Sequence, residues 1–571
     1  MSRMTMRMGI PLMGADFFQP DRVGPVEGGK WAARQMDGWR YESNRIIRPW
    51  PNVAALGNNT PTSNTITGLR NISWGDGDAD DVRHTGTSFH ELLSGAWTSR
   101  AGAFALAAGT TDYWGGAVVP SAGSNGKGVY LFSCRSATGG LNHIFFWTGA
   151  GNMSNTWSAG APSPGRHVVS FADRAFVFNQ IIGGATRSRA CQWSIAGDAL
   201  SWTGTGSGAR EFGEFDDEIT GVATLRGKLY VYSSRAIVEG TESFDVDAPV
   251  YYSPLTTNGV GCWAPGSLAS FNDQHAFLSM EGFKLWDGQQ IHDIGTPVDE
   301  AFFNSINRAA VNTVCSTVLP EPFNMIIWGL PMFGATTPSY MLAYDYKRKA
   351  WITSVNFYFV SVGSNVTALA TRLRSSGITW GDLQLAGTTW ANMQAAGTRW
   401  SDLAATAAFP SVVSGHANGV TRIWEQSTTN PNLTVILDTP MFKLSDAPLY
   451  DSASARPTET VDEDDIITLD SVEVVYRTTN DTTPTALYIL TSVDEGRTYV
   501  YYGTVTIDVS RTNTTRRYRV DGIASGYSMI IRIANFAQIG TTNVQSRASI
   551  GLVDIVPTFS TSGKEVDPST L

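Results

Sequence analysis

SFNDQHAFLSMEGFKLWDGQQIHDIG, residues Ser270 to Gly295, reads as three short strands joined by two tight turns. The strands are His275 to Met280, Phe283 to Trp286 and Gln289 to Ile294, and the turns are Glu281-Gly282 and Asp287-Gly288. Asp-Gly between alternating apolar runs is a strong hairpin signal, because glycine accepts the positive φ of a tight turn. In the middle strand Phe283 and Leu285 share one face, and Lys284 and Trp286 share the other. A lone meander cannot bury both faces, so it must stack on similar units.

Such units flank it. GVYLFS (Gly128 to Ser133) pairs with HIFFWT (His143 to Thr148), and Val168 to Asn179 forms another pair turning at Ala172-Asp173. Val222 to Gly240 repeats the strand-turn-strand layout, as do Asn324 to Ser354 and Ser411 to Gln426. The starts are separated by about 40 to 50 residues, the size of a four-stranded propeller blade. The expectation is therefore an all-β protein with a β-propeller over residues 121–440, a stack of sandwich domains being the structural alternative.

One gap is twice as long, and an insertion at 364–409 fills it. ITWGDLQLAG, TTWANMQAAG and TRWSDLAATA repeat from Ile378 to Ala407 at a period of ten. Trp380, Trp390 and Trp400 bring large apolar area on a segment too short for its own core, so they are candidates for packing on the propeller or on another subunit. After about residue 440 the pattern shifts to a polar, acidic loop and then to long alternating strands. These read as an antiparallel β-sandwich, platform-like, over 441–560, followed by a flexible tail at 561–571. Residues 1–120 alternate least cleanly. They are expected to form an N-terminal arm and an irregular region that partly closes the propeller.

Charged residues make up 16% of the 571, below the roughly 25% of an ordinary soluble domain, and the net charge is −10. That balance argues against a protein that grips nucleic acid through a basic surface. The four cysteines form no CxxC pair and read as reduced thiols. No apolar run reaches the length of a membrane span. The N-terminal stretch, interrupted by Pro11 and Gly14, does not read as a signal peptide, so synthesis in the cytoplasm is the default.

No catalytic residue, cofactor site or metal site emerges. P-loop, Rossmann, HExxH and nucleophile-elbow patterns are missing. Asp76, Asp78 and Asp80 begin a calcium-loop spacing, but Asp81 and Thr87 stand where a glycine and a glutamate belong, so a solvated acidic loop is expected. Nothing places Asp216, Asp217 and Glu218 across a scissile bond. Ser492, Asp494, Gly496, Thr498 and Tyr499 match the S-x-D-x-G-x-T-aromatic Asp-box hairpin. Its side chains bond turn amides while its aromatic packs beneath, so it reads as a structural hairpin rather than an active site.

The units from Val168 to Ser354 resemble the tail nozzle, or tail tubular protein B, family of short-tailed bacteriophages. The matching stretches are Trp193-Ser194 with Gly197-Asp198 and Trp202, then Asp217 to Gly240, Leu278 to Gly295 and Leu342 to Ser354. The tryptophan repeat and the terminal β-rich domain with SVDEGRTY and RRYRVDGI are also similar. The resemblance implies a structural virion protein of the tail, a homohexameric ring that docks on a head-to-tail adaptor protein, with tail fibres as further partners. Double-stranded DNA would pass through its channel without specific binding, so a lumen sparse in Lys and Arg is expected. Two other readings are a carbohydrate-active or glycan-binding, sialidase-like propeller and a receptor-binding tail protein.

Overall fold

The computed structural model of the chain describes residues 3–5, 8–9, 35–37, 39–43, 46–49, 51–57, 65–86, 88–93, 95–102, 114–121, 126–134, 143–296, 298, 303–321, 323–354, 366–372, 410–429, 435–439, 442–443, 467–478, 485–494, 496–507, 515–526, 528–539, 542–545 and 550–561. Among them the chain is almost all β, with three short 3-10 helices at Pro265–Ser267, Phe303–Ser305 and Arg308–Thr313.

Six N-terminal strands come first: β1 (Arg3–Thr5), β2 (Met8–Gly9), β3 (Gln35–Asp37), β4 (Trp39–Ser43), β5 (Ile46–Pro49) and β6 (Pro51–Ala55). Seven small antiparallel sheets follow in chain order. Sheet I holds β7 (Ile66–Ser73), β8 (Ala79–Thr85), β9 (Phe89–Leu93) and β10 (Ala96–Ser99); sheet II holds β11 (Trp114–Val119), β12 (Val129–Cys134) and β13 (His143–Trp147). Sheet III holds β14 (Gly165–Phe171), β15 (Arg174–Ile182), β16 (Ala185–Trp193) and β17 (Gly208–Glu211). Sheet IV holds β18 (Ile219–Leu225), β19 (Lys228–Ser233), β20 (Ile237–Glu242) and β21 (Val250–Pro254). Sheet V holds β22 (Ala269–Phe271), β23 (Gln274–Ser279), β24 (Gly282–Trp286) and β25 (Ile291–Asp293). Sheet VI holds β26 (Cys315–Leu319), β27 (Met325–Leu330), β28 (Tyr340–Asp345) and β29 (Ala350–Ser354). Sheet VII holds β30 (Val366–Arg372), β31 (Ser411–His416) and β32 (Thr421–Thr429), and β6 adds its outer strand.

The turns explain the strand order within sheets. Ala172-Asp173, Arg226-Gly227 and Asn272-Asp273 each place two consecutive residues at positive φ, between 39° and 72°. That is the two-residue hairpin whose twist matches its strands, and it joins first strand to second in sheets III, IV and V.

The side-chain alternation of each strand feeds two cores. Phe283 and Leu285 of β24 enter the core between sheets V and VI, while Trp286 enters the one between sheets IV and V. Other cores lie between sheets I and II, II and III, III and IV, and VII and I. First strands also touch in sequence: β7 lies against β11, β11 against β14, β14 against β18, β18 against β22, β22 against β26, β26 against β30, and β30 against β7. Glycines permit the closest approaches. A Cβ on Gly115 of β11 would strike the Arg166 carbonyl of β14, and one on Gly266 would strike the Val314 carbonyl.

The rest of the chain is β33 (Ile436–Asp438), β34 (Phe442–Lys443), β35 (Ile467–Thr478), β36 (Thr485–Ser492), β37 (Val500–Ile507), β38 (Thr515–Gly526), β39 (Ser528–Ala534), β40 (Phe536–Ile539), β41 (Thr542–Gln545) and β42 (Ile550–Thr561). One sheet runs β38-β35-β42-β5-β4, with β1 and β2 also on β42. A second continues sheet VI outward through β3, β33, β39, β36 and β37. Leu469, Val472, Val474, Leu552 and Phe559 of the first face Leu487, Ile489, Val505, Ile531 and Ile533 of the second in one buried cluster.

Several bounds differ from those read in the sequence. The 270–295 stretch is the greater part of a four-stranded sheet, because Ala269–Phe271 precedes the first turn. Sheet I is a regular sheet inside the stretch read as irregular. Its strand β8, ADDVRHT, hides its alternation because charged side chains are buried with partners. Asp81 accepts from Asn71 at 2.9 Å and pairs with Arg372 of sheet VII, and Arg83 donates to the Gly419 carbonyl at 3.2 Å and to Thr421 at 3.1 Å. Val366–Arg372, assigned to the insertion, is the first strand of sheet VII; its VTALATR pattern buries Val366, Ala368 and Leu369. Strand β33 joins the C-terminal sheets before residue 441.

Two buried histidines and a half-buried one give the fold an acid limit. His84 stacks on Trp114 and Phe89, both with ring centroids at 5.0 Å, and burial pushes its pKa down to about 3. Burial holds His90 and His275 down at about 4, and His275 lies 2.7 Å from the Tyr232 hydroxyl. These groups stay neutral when folded, whereas the unfolded chain protonates below about pH 6.5. Stability is therefore full above that pH and falls as pH drops toward 4, by up to about 1.4 kcal/mol per pH unit per group. Proton uptake on unfolding at pH 5, measured by the pH dependence of denaturation midpoints, should fall by about one proton in His84→Phe.

Candidate functional site

The first strands enclose a cavity of about 150 Å³, with Arg70, Trp114, Asn312, Thr313, Ser316 and Thr367 among its lining residues. It lies between β7, β11, β26 and β30, with Gly266, Leu268, Thr337 and Pro338 also on the wall. Close strand packing makes it narrow, and the side chains turned inward are small or neutral apart from Arg70. No Asp or Glu is among the lining residues. Arg166 of β14 donates to Asn312 at 3.1 Å and pairs with Glu218 at 3.6 Å, which commits that carboxylate to a contact between sheets.

Glycoside hydrolysis needs two carboxyl groups facing each other across the bond to be cut. The cavity wall lacks that pair. Thiol chemistry is equally unsupported, because burial pushes the pKa of Cys191, Cys262 and Cys315 up to about 12. Among the described residues no group of His, Cys, Asp and Glu could hold a metal ion. Asp80 of the acidic loop accepts from the Trp74 indole at 2.6 Å, and Asp76 and Asp78 lie 3.8 and 3.9 Å from Lys127. Asp217 accepts from the Ser234 amide at 3.1 Å.

The Asp-box residues form one hydrogen-bonded hairpin between β36 and β37. The Ser492 hydroxyl donates to Asp494 at 2.7 Å and accepts from the Gly496 amide at 2.9 Å. Asp494 also accepts from the Thr498 amide at 2.9 Å and hydroxyl at 2.5 Å, and these bonds, the hydroxyl first, hold its pKa down at about 2. The folded value lies below the ordinary one, so this contribution is present above about pH 4 and is lost as pH falls toward 2. Asp494→Ala should speed hydrogen exchange at the Thr498 amide selectively while β42 keeps its protection; unchanged exchange at Thr498 would contradict the assignment.

Tyr499 reaches further than its hairpin. Its hydroxyl donates to Asp438 of β33 at 2.8 Å, and the Arg532 guanidinium sits 3.6 Å over its ring. Arg532 in turn donates twice to Asp438, both at 2.7 Å. Sequence reasoning missed Asp438 and Arg532, which stand 94 residues apart with no motif around either. Trp380, Trp390 and Trp400 lie outside the described residues.

No protein-family model matches the chain, and no curated protein does. Among solved structures it is similar to a glycoside hydrolase family 43 arabinoxylan arabinofuranohydrolase from Bacillus subtilis in complex with cellotetraose. That match has 11% identity over 96% of this chain and 98% of the other, with a TM-score of 0.25. It is also similar to PorZ, a bacterial surface component of the type-IX secretion system of Porphyromonas gingivalis, at 8% identity over 71% and 52% of the two chains and a TM-score of 0.22. A third is the C-terminal domain of a chitobiase from Bacteroides fragilis, at 12% identity, 24% and 70% coverage and a TM-score of 0.14. Likeness at these scores carries no argument about activity.

Proposed function

We propose that the seven sheets are the blades of a closed β-propeller, that β33–β42 form an appended β-sandwich, and that the chain is a structural virion protein of the tail nozzle kind. In this reading copies assemble into a ring, one face meets an adaptor, and the shared channel carries the genome outward. The propeller itself is not an enzyme.

One observation supports the propeller most directly: first strands touch from sheet to sheet until β30 meets β7. β6, from the N-terminal side, adds the fourth strand of the last blade against β32, so the chain before sheet I is tied to the sheet that follows sheet VI. The cavity wall without carboxylates favours a scaffold over the carbohydrate-active alternative. The net charge of −10 suits a conduit, since every phosphate neutralised by Lys or Arg adds affinity and slows transit.

The test is electron microscopy of the purified full chain, with light scattering at the same concentration. A rotationally symmetric ring with a wide axial channel is expected. A monomer that releases sugar from glycan substrates would overturn the reading, as would a channel wall dense in Lys and Arg.

A further inference from the structure

The cavity of about 150 Å³ lies where four first strands begin. Thr67 is the second residue of β7, Trp114 the first of β11, Cys315 the first of β26 and Thr367 the second of β30. Asn312 and Thr313, just before β26, add their own groups to the wall, and the space is partly open to solvent. A cavity of that volume admits one six-membered ring.

The wall sorts its polar groups into donors and acceptors. Arg70 is the one ionised side chain among the described lining residues, since the Cys315 thiol is pushed up to about 12 by burial and no Asp or Glu is present. A guanidinium only donates, and it stays charged. Asn312 accepts from Arg166 at 3.1 Å through its side-chain oxygen, so its NH2 group is the end with hydrogens to offer. The hydroxyls behave differently. Thr313 donates to the Ala310 carbonyl at 2.7 Å, Ser316 to the Gly266 carbonyl at 2.9 Å and Thr367 to the Ile66 carbonyl. Each has used its single hydrogen, so what it can offer a ligand is a lone pair.

We infer that this cavity binds a small carboxylate that also carries hydroxyl groups, a compound of the size and kind of a monosaccharide acid. The carboxylate meets Arg70 and the Asn312 amide, because hydrogen bonds to an ionised group are the strong ones. The ligand hydroxyls supply the hydrogens that Thr313, Ser316 and Thr367 accept. An ammonium group is a poorer donor here, since no carboxylate on the described wall would pair with it. The site holds its ligand without cutting it, because the paired carboxyl groups of glycoside hydrolysis are missing from that wall. Every group named belongs to one chain, so the inference stands apart from ring assembly.

Isothermal titration calorimetry of the purified full chain tests it. The probe is D-glucuronate, with D-glucose as its uncharged counterpart and cyclohexanecarboxylate as a charged ring without hydroxyls. Saturable binding of glucuronate is expected, at least about tenfold tighter than either comparison compound. Arg70→Gln should weaken glucuronate by at least about tenfold and leave glucose unchanged, while Arg70→Lys, which keeps the charge, should retain part of the affinity. Asn312→Ala, at an exposed position, is the second variant should Arg70→Gln fail to fold, and it should weaken glucuronate more than glucose. No saturable heat with glucuronate at millimolar concentration overturns the site. Equal affinity for glucose overturns recognition of the charge, and equal affinity for cyclohexanecarboxylate overturns recognition of the hydroxyls. Glucuronate binding that is unaltered in the folded variants places the ligand elsewhere and overturns the assignment.

Discussion

Asp438→Ala should destabilise the C-terminal sheets by about 3–5 kcal/mol, the cost of leaving a buried charge without its partner. Asp438 is 1% exposed and receives both Arg532 hydrogen bonds and the Tyr499 hydroxyl. Burial alone would lower the Arg532 pKa, but the hydrogen bonds and charge of Asp438, with Tyr499, raise it instead. Removing the carboxylate reverses that balance and takes both of these hydrogen bonds from a guanidinium stacked on Tyr499. The readout is the opening free energy of β33, β36 and β39 amides in native-state hydrogen exchange, since a chain of this size need not unfold in one step. Changing both partners, Asp438→Leu with Arg532→Leu, should recover most of the loss, because an apolar pair leaves no orphan charge. A single-variant loss under about 1 kcal/mol would contradict the account.

The second large effect is expected at Trp328. Its side chain is fully buried, with ring centroids 5.0 Å from Phe283 and 5.7 Å from Trp351. Its indole donates to the Ser267 carbonyl at 2.9 Å. It therefore joins sheets V and VI through both packing and a hydrogen bond. Trp328→Ala should cost about 3–5 kcal/mol, from lost transfer energy and the cavity left behind. Protection should fall together in β23, β24 and β27, on both sides of that core. Trp328→Phe should cost less, since it keeps most of the ring volume and loses mainly the bond to Ser267. Loss of protection confined to β27 would show that the two sheets are not coupled through this residue.

These two sites differ in how far the sequence reveals them. The meander at 270–295 is legible because glycine turns and period-two alternation are local, and sheets II to VI are each built from consecutive strands. Phe283, Leu285 and Trp286 could be sorted to opposite faces from spacing alone. Sheet I could not, because Asp81, Arg83 and His84 sit where a core pattern calls for apolar residues, and their partners Arg372, Gly419 and Tyr130 lie far along the chain. The N-terminal strands were equally opaque: each is two to five residues long and takes its meaning from an acceptor elsewhere. The cavity has no periodic signature, since its wall is assembled from short pieces of elements far apart in the chain. The Asp-box motif was legible as a hairpin, but the sequence offered no reason to connect Tyr499 to Asp438 and Arg532.

The pairing of β1 with β42 has a consequence for biosynthesis. Arg3 is translated long before its partner Ser560, which lies hundreds of residues later in the chain. Sheets I to VI hold consecutive strands and can form as translation proceeds, whereas β1 and β2 wait until β42 has been translated. A premature stop before residue 550 would leave those sheets in place and remove the β42 edge on which β1 and β2 dock, so truncated products should be recognisable by an N-terminal segment open to proteases.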